Sequence, residues 1–167
     1  MFSIESALFT GWACAVAMCD WRRRSIPNAL VVAGAVCALA LAAARLSPFD
    51  TPPGAALIGL AAGFAALLPF YLLAMMGAAD VKTFAVLGAW CGPRALPGIW
   101  VAASLCAAFH ALLLLARRRT VVGLNELSAG MMLAEHRRNS TPYGALLAVA
   151  AFCHLALQML HIAGARP

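Results

Sequence analysis

The feature that most constrains this chain is a succession of long apolar runs separated by short polar links. The runs are Met1 to Cys19, Ile26 to Leu46, Ala55 to Met76, Val81 to Cys91, Ala95 to Ala116 and Tyr143 to Ala163. Most approach the roughly 20 helical residues that cross a hydrocarbon core about 30 Å thick. Of 167 residues, 64% are apolar and 11% charged, against roughly 45–50% and 25% in soluble domains. That excess of apolar surface calls for lipid to cover it. The expectation is therefore an all-α, polytopic integral membrane protein, with residues 1–167 forming one membrane-embedded domain. The first run lacks the basic start of a secretory signal, carries Glu5, and is followed by Arg22, Arg23 and Arg24. It reads as a retained span.

Whether Ala55 to Gly92 crosses once or twice decides the topology. As one helix it would reach about 57 Å, nearly twice the core thickness. If the chain folds back near Gly77, it has six spans. Arg22, Arg23, Arg24, Lys82, Arg117, Arg118, Arg119, Arg137 and Arg138 then share one side, and only Arg45, Arg94 and Arg166 face the other. Nine against three is the asymmetry of the positive-inside rule, which predicts six transmembrane helices, both termini outside and basic loops in the cytoplasm. The net charge of +6 is then topological and its partners are membrane lipids. Nucleic acid is not an expected partner, because these arginines sit in short loops without aromatic interleaving. Oligomeric state is not legible.

Ser47, Pro48, Asp50, Pro52, Pro53 and Gly54, then Gly92, Pro93 and Pro97, predict tight outer connections. In the long loop from Arg117 to Pro142, Leu124, Leu127 and Met131 recur at helical spacing, which fits a short interfacial helix or a linker equally well. Gly59 and Gly63 form a small-xxx-small pair suited to close helix packing. The six cysteines have no C-x-x-C pair and read as small buried hydrophobes, not metal ligands or a disulfide frame.

Chemistry falls to Asp20 and Asp80, the acidic residues at span ends on the cytoplasmic side. A carboxylate held at such depth is costly and by default suggests function. Each also has a bland explanation: Asp20 as a partner of Arg23 or Arg24, Asp80 as an acid favoured at a helix N-terminus. Two carboxyl groups within hydrogen-bonding reach tend to share a proton, so one acts as base toward water while the other donates to a carbonyl oxygen. That chemistry needs no metal or cofactor. Gly77, Ala78 and Ala79 would let the two helices approach closely. Between Asp20 and Asn28, Ser25 is placed to cap a second helix with Pro27 in its first turn, which keeps Asp20 at the mouth of a hairpin.

Asp20 followed by Ile26-Pro27-Asn28, then Gly77-Ala78-Ala79-Asp80-Val81-Lys82, and later Pro142-Tyr143-Gly144, resembles the type IV prepilin peptidases. The resemblance covers nearly the whole chain. It implies an intramembrane aspartic endopeptidase of the bacterial inner membrane, removing basic leaders from pilin-like precursors at the cytoplasmic face, with Asp20 and Asp80 as the catalytic pair. Two departures stand out: Ala79 occupies the second glycine of the family's Gly-x-Gly-Asp, and the cysteine-rich methylation region of larger members is missing. The short form is similar to the branch serving tight-adherence (Flp-type) pili and implies peptidase activity alone. The competing reading is a small proton- or cation-coupled transporter using the same aspartates, and a silent assembly partner rests on Ala79 alone. His110, His154 and His161 read as packed polar groups within spans. Ser104 and Ser128 lack a triad pattern, and Lys82, two residues from Asp80, reads as a headgroup anchor.

Overall fold

The computed structural model describes residues 3–23, 25–121 and 143–164, with side chains up to 113 and from 143 to 157. Among the described residues there are six helices and no strand: α1 (Ile4–Arg23), α2 (Asn28–Ala43), α3 (Pro53–Leu72), α4 (Ala78–Cys91), α5 (Leu96–Val121) and α6 (Tyr143–Gly164). The all-α expectation holds. Two segments, Pro53–Leu72 and Leu96–Leu113, are long and apolar enough to cross a membrane.

The chain does break before Gly77. α3 ends at a left-handed Ala74 (φ 55°), where the Met75 N–H bonds the Phe70 carbonyl at 2.9 Å and the Ala74 N–H bonds that of Tyr71 at 3.0 Å. This is a Schellman ending built without glycine, and it turns α4 back along α3. The hairpin is held by backbone contact. A Cβ on Gly59 would overlap the Gly88 carbonyl, a Cβ on Gly88 would overlap that of Gly59, and one on Gly63 would lie 2.8 Å from the Phe84 oxygen. Close packing is thus the role of the Gly59 and Gly63 pair. On α3 the buried positions Ala56, Gly59, Gly63 and Leu67 form a single stripe, as expected for a helix with one packed face.

α4 is different, because Val81 and every residue from Thr83 to Trp90 is buried. A helix apolar all round belongs in the centre, and α2, α3, α5 and α6 all pack on it. α1 joins it through large rings: Phe9 and Trp12 reach Trp90 at centroid separations of 5.3 and 6.2 Å. At the Trp90 end of the bundle large rings, not small residues, make the contact between the two helices. The small-residue contact belongs to α3 instead. Trp12 also lies over Gly34, where any Cβ would meet its indole, and its N–H donates to the Leu30 carbonyl at 3.0 Å.

Three further expectations change. Ser25 is exposed and does not cap α2; the helix begins at Asn28 with Pro27 as its N-cap and no side-chain cap bond. Burial of Ile26 draws the link inward in extended form and delays the first turn. None of the cysteines is fully buried: Cys14, Cys106 and Cys153 are exposed, while Cys19, Cys37 and Cys91 are half-buried, and all are free. A small apolar thiol needs no interior position where the surroundings are themselves apolar. Arg117, Arg118 and Arg119 belong to the backbone of α5, whereas Leu124, Leu127, Met131 and Pro142 lie outside the described residues.

Gly59→Val and Gly88→Val are each expected to destabilise the chain by about 3 kcal/mol, because backbone on the far side must move. Gly11→Ala and Gly98→Ala, with nothing within 4 Å of the added methyl, should change stability by less than about 1 kcal/mol. Thermal unfolding in detergent micelles separates the two pairs.

Candidate active site

The residues singled out for chemistry lie at one end of the bundle. Along α1 the buried positions are Ser6, Phe9, Trp12, Ala13, Val16 and Asp20, spaced by three or four residues. Asp20 therefore continues the inward stripe. It is only 8% exposed, whereas Arg22 and Arg23 are exposed. Among the described residues its hydrogen-bond partner is a backbone amide: the Ala145 N–H donates to Asp20 Oδ2 at 2.8 Å, while Arg24 lies outside the described residues.

Asp80 is the third residue of α4, after Gly77 as N-cap. From that position an acid reaches back to the N-cap amide, one half of a capping box. Asp80 Oδ2 lies 3.3 Å from where a Gly77 Cβ would be, and the Gly77 N–H faces the carboxylate. The helix-terminus explanation of Asp80 is therefore real as local geometry, but it is incomplete. The Gly144 N–H also faces this carboxylate, and Asp20 lies within electrostatic range of it.

The two carboxylates thus converge on the first turn of α6, Tyr143-Gly144-Ala145. A helix N-terminus presents unsatisfied N–H groups and a partial positive charge, which suits carboxylates. The approach is tight: a Cβ on Gly144 would lie 3.1 Å from Asp20 Oδ2 and 3.0 Å from Ile26 Cδ1, so these side chains would have to give by a few tenths of an ångström. Tyr143 is held from the other side, its hydroxyl 3.0 Å from Ser104 Oγ on α5.

The supporting residues divide between two ties. Lys82 Nζ donates to Asn28 Oδ1 at 2.9 Å in an exposed bond, linking the Ile-Pro-Asn string to the Asp80 helix. Pro27 ends the link with its carbonyl bonded by the Leu30 and Val31 amides at 3.0 and 3.3 Å. Ala79 takes no left-handed angle; it sits in the first turn of α4, with its carbonyl accepting the Thr83 hydroxyl at 2.9 Å. The conformational freedom of glycine is not used there. His154 is remote, stacked on Phe49 at 5.9 Å near the opposite end. Among the described residues no group of three His, Cys, Asp or Glu side chains is placed to hold a metal ion.

Sequence reasoning missed Ala145, considered Ser104 only as a nucleophile, and took Ile26 only as part of the Ile-Pro-Asn string. Ser104 was the most findable, as a lone hydroxyl in an apolar run. Ala145 acts through its backbone, which no side-chain pattern reveals.

A sequence model of the type IV leader peptidase family matches residues 7–112. That span includes Asp20, Asn28, Asp80 and Ser104 and stops short of α6. The chain matches no curated protein and no solved structure.

Ala145 is the third residue of α6, where proline is tolerated. Ala145→Pro removes the amide donor to Asp20 and adds a ring at a buried position, so it should cost about 1.5–3 kcal/mol for a hydrogen bond to a charged group plus the cost of the ring. In an Asp20→Ala background only the cost of the ring should remain, so the same change should cost less there by about 1.5–3 kcal/mol. Unfolding of the four species in micelles gives the coupling energy.

Proposed function

Because the chain belongs to the type IV leader peptidase family, we propose that it cleaves basic leaders from pilin-like precursors at the cytoplasmic face of the bacterial inner membrane, with Asp20 and Asp80 as the catalytic pair. Family membership makes leader peptidase its general function; the aspartic mechanism is the reading the site supports best. The observation that carries it is the convergence of the two carboxylates on the amides of Gly144 and Ala145. Proton or cation transport would use the same two groups, but nothing in the site favours it over hydrolysis.

The chemistry follows from a shared proton. The ionised carboxylate takes a proton from water as its oxygen bonds the scissile carbonyl carbon, and the protonated one donates to the carbonyl oxygen. Collapse of the tetrahedral diol breaks the C–N bond: the amine leaves with a proton from the acid formed in the first step, and one diol hydroxyl gives its proton to the other carboxylate, which restores the starting pair. The α6 amides keep the carboxylates oriented without neutralising them, since an N–H donor has no proton to give up at this pH.

Depth supports an intramembrane site. α4 has 14 residues, about 21 Å of helix, against a core of about 30 Å. With its outer end near the boundary, Asp80 lies several ångströms below the inner surface. The exposed large side chains of α2, α3 and α5, such as Val36, Ile58 and Leu105, support the six-span reading, in which lipid covers them. On that reading the basic positions at the Asp20 end support a cytoplasmic site.

Asp20→Asn and Asp80→Asn should each lower cleavage of a co-expressed pilin-like precursor by roughly 10²–10⁴-fold, the worth of a positioned acid or base. Membrane levels of each variant are to match the wild type. Full processing by either variant would sink the dyad.

A further inference from the structure

A groove runs between α3 and α5 and ends beside the candidate site. α5 packs on α6 and more lightly on α4 but stands off from α3, leaving two hollows. The outer one, about 250 Å³, is lined by Leu67 and Ala66 of α3, Phe84 of α4, and Leu96 and Pro97 of α5. The inner one, about 200 Å³, is lined by Met76, Ser104, Ala107 and Tyr143. Phe70 and Trp100 belong to both and form the ridge between them. Its inner end is the Ser104–Tyr143 pair, which adjoins Gly144 and the Asp80 carboxylate.

We infer that this groove seats the apolar helix of the substrate, with one bulky side chain in each hollow and the scissile bond at the Tyr143 end. The inference rests on the leader-peptidase reading and adds where the uncleaved part of the precursor binds. Three features select this occupant. The outer hollow offers no polar partner, so whatever enters must satisfy its own backbone, which in lipid means a helix. The α5 linings of the hollows, Leu96, Pro97 and Trp100 against Trp100, Ser104 and Ala107, are offset by about 9 Å along that helix. Residues i and i+7 of a docked helix lie about 10.5 Å apart on one face, the anchor spacing of helix-in-groove recognition. The groove is also continuous with the site, so a helix lying in it delivers its cytoplasmic end to the carboxylates.

The test uses the full chain in lipid nanodiscs and a synthetic precursor, a basic leader followed by an apolar helix of about 20 residues. Photo-reactive side chains are placed at Ala66 and Ala107 in an Asp20→Asn, Asp80→Asn background, with Leu57 on another face of α3 as control. The expected result is crosslinking from Ala66 and Ala107 to precursor positions about seven residues apart, the Ala107 product nearer the leader, and none from Leu57. Crosslinks to lipid alone, or equal yield from Leu57, overturn the inference. In the active chain Ala66→Trp, which fills the outer hollow from an exposed position, should raise KM for this precursor about tenfold, while Leu57→Trp leaves it unchanged. An unchanged KM in Ala66→Trp overturns the inference. The two readings fail separately. Cleavage by the wild type without groove crosslinks removes the groove alone, while groove crosslinks without cleavage by the wild type remove the peptidase reading and leave the groove as a helix-binding site.

Discussion

The contact between the Gly59 and Gly88 backbones is what the rest of the bundle is arranged around. It lets α4 lie against α3 with no side chain between them, so the shortest apolar helix becomes the central one. Where the surroundings are apolar, burying another apolar side chain gains little by transfer, and helices associate through dispersion contact at close range. Small residues at the α3–α4 seam supply that contact. The large rings of Phe9, Trp12 and Trp90 do the opposite for α1, keeping its backbone at a distance that α6 fills near Asp20.

That spacing decides the form of the site. If α1 and α4 met through small residues, Asp20 and Asp80 would face each other directly, with like charges opposed and little to orient them. The first turn of α6 meets both, and its free amides take both carboxylates. One helix end thereby offsets part of the repulsion between two acids and holds each at a defined angle. Gly144 leaves room for that approach, since a Cβ there would crowd Asp20 and Ile26. Tyr143, tied to Ser104, and Lys82, tied to Asn28, connect this end of the bundle across α5 with α6 and α2 with α4. Lys82 and Asn28 thus serve by joining elements, whereas Gly77 and Gly144 present their amides to the Asp80 carboxylate.

Much of the fold was legible because it follows from periodicity and length. The break near Gly77, the place of Asp20 at a span end and the packing role of Gly59 and Gly63 come from helix length, the distribution of basic residues and small-residue spacing. Local capping was less legible. Ser25 has the right side chain in a plausible place, but burial of Ile26 overrode it, and Pro27 became the N-cap. The cysteines misled for a related reason: burial rules framed for water do not apply where the exterior is apolar.

The sequence by itself determined the helices, their apolar character and the presence of an acid at the C-terminal end of α1 and at the N-terminal end of α4, since these depend on neighbours within a few turns. Only the tertiary structure decided that the acids meet through the amides of α6, that Ser104 clasps Tyr143, and that a groove opens between α3 and α5. Those contacts join residues as far apart as Asp20 and Ala145. The donor there is a backbone N–H, a group common to every residue but proline, so its use leaves no mark on the sequence.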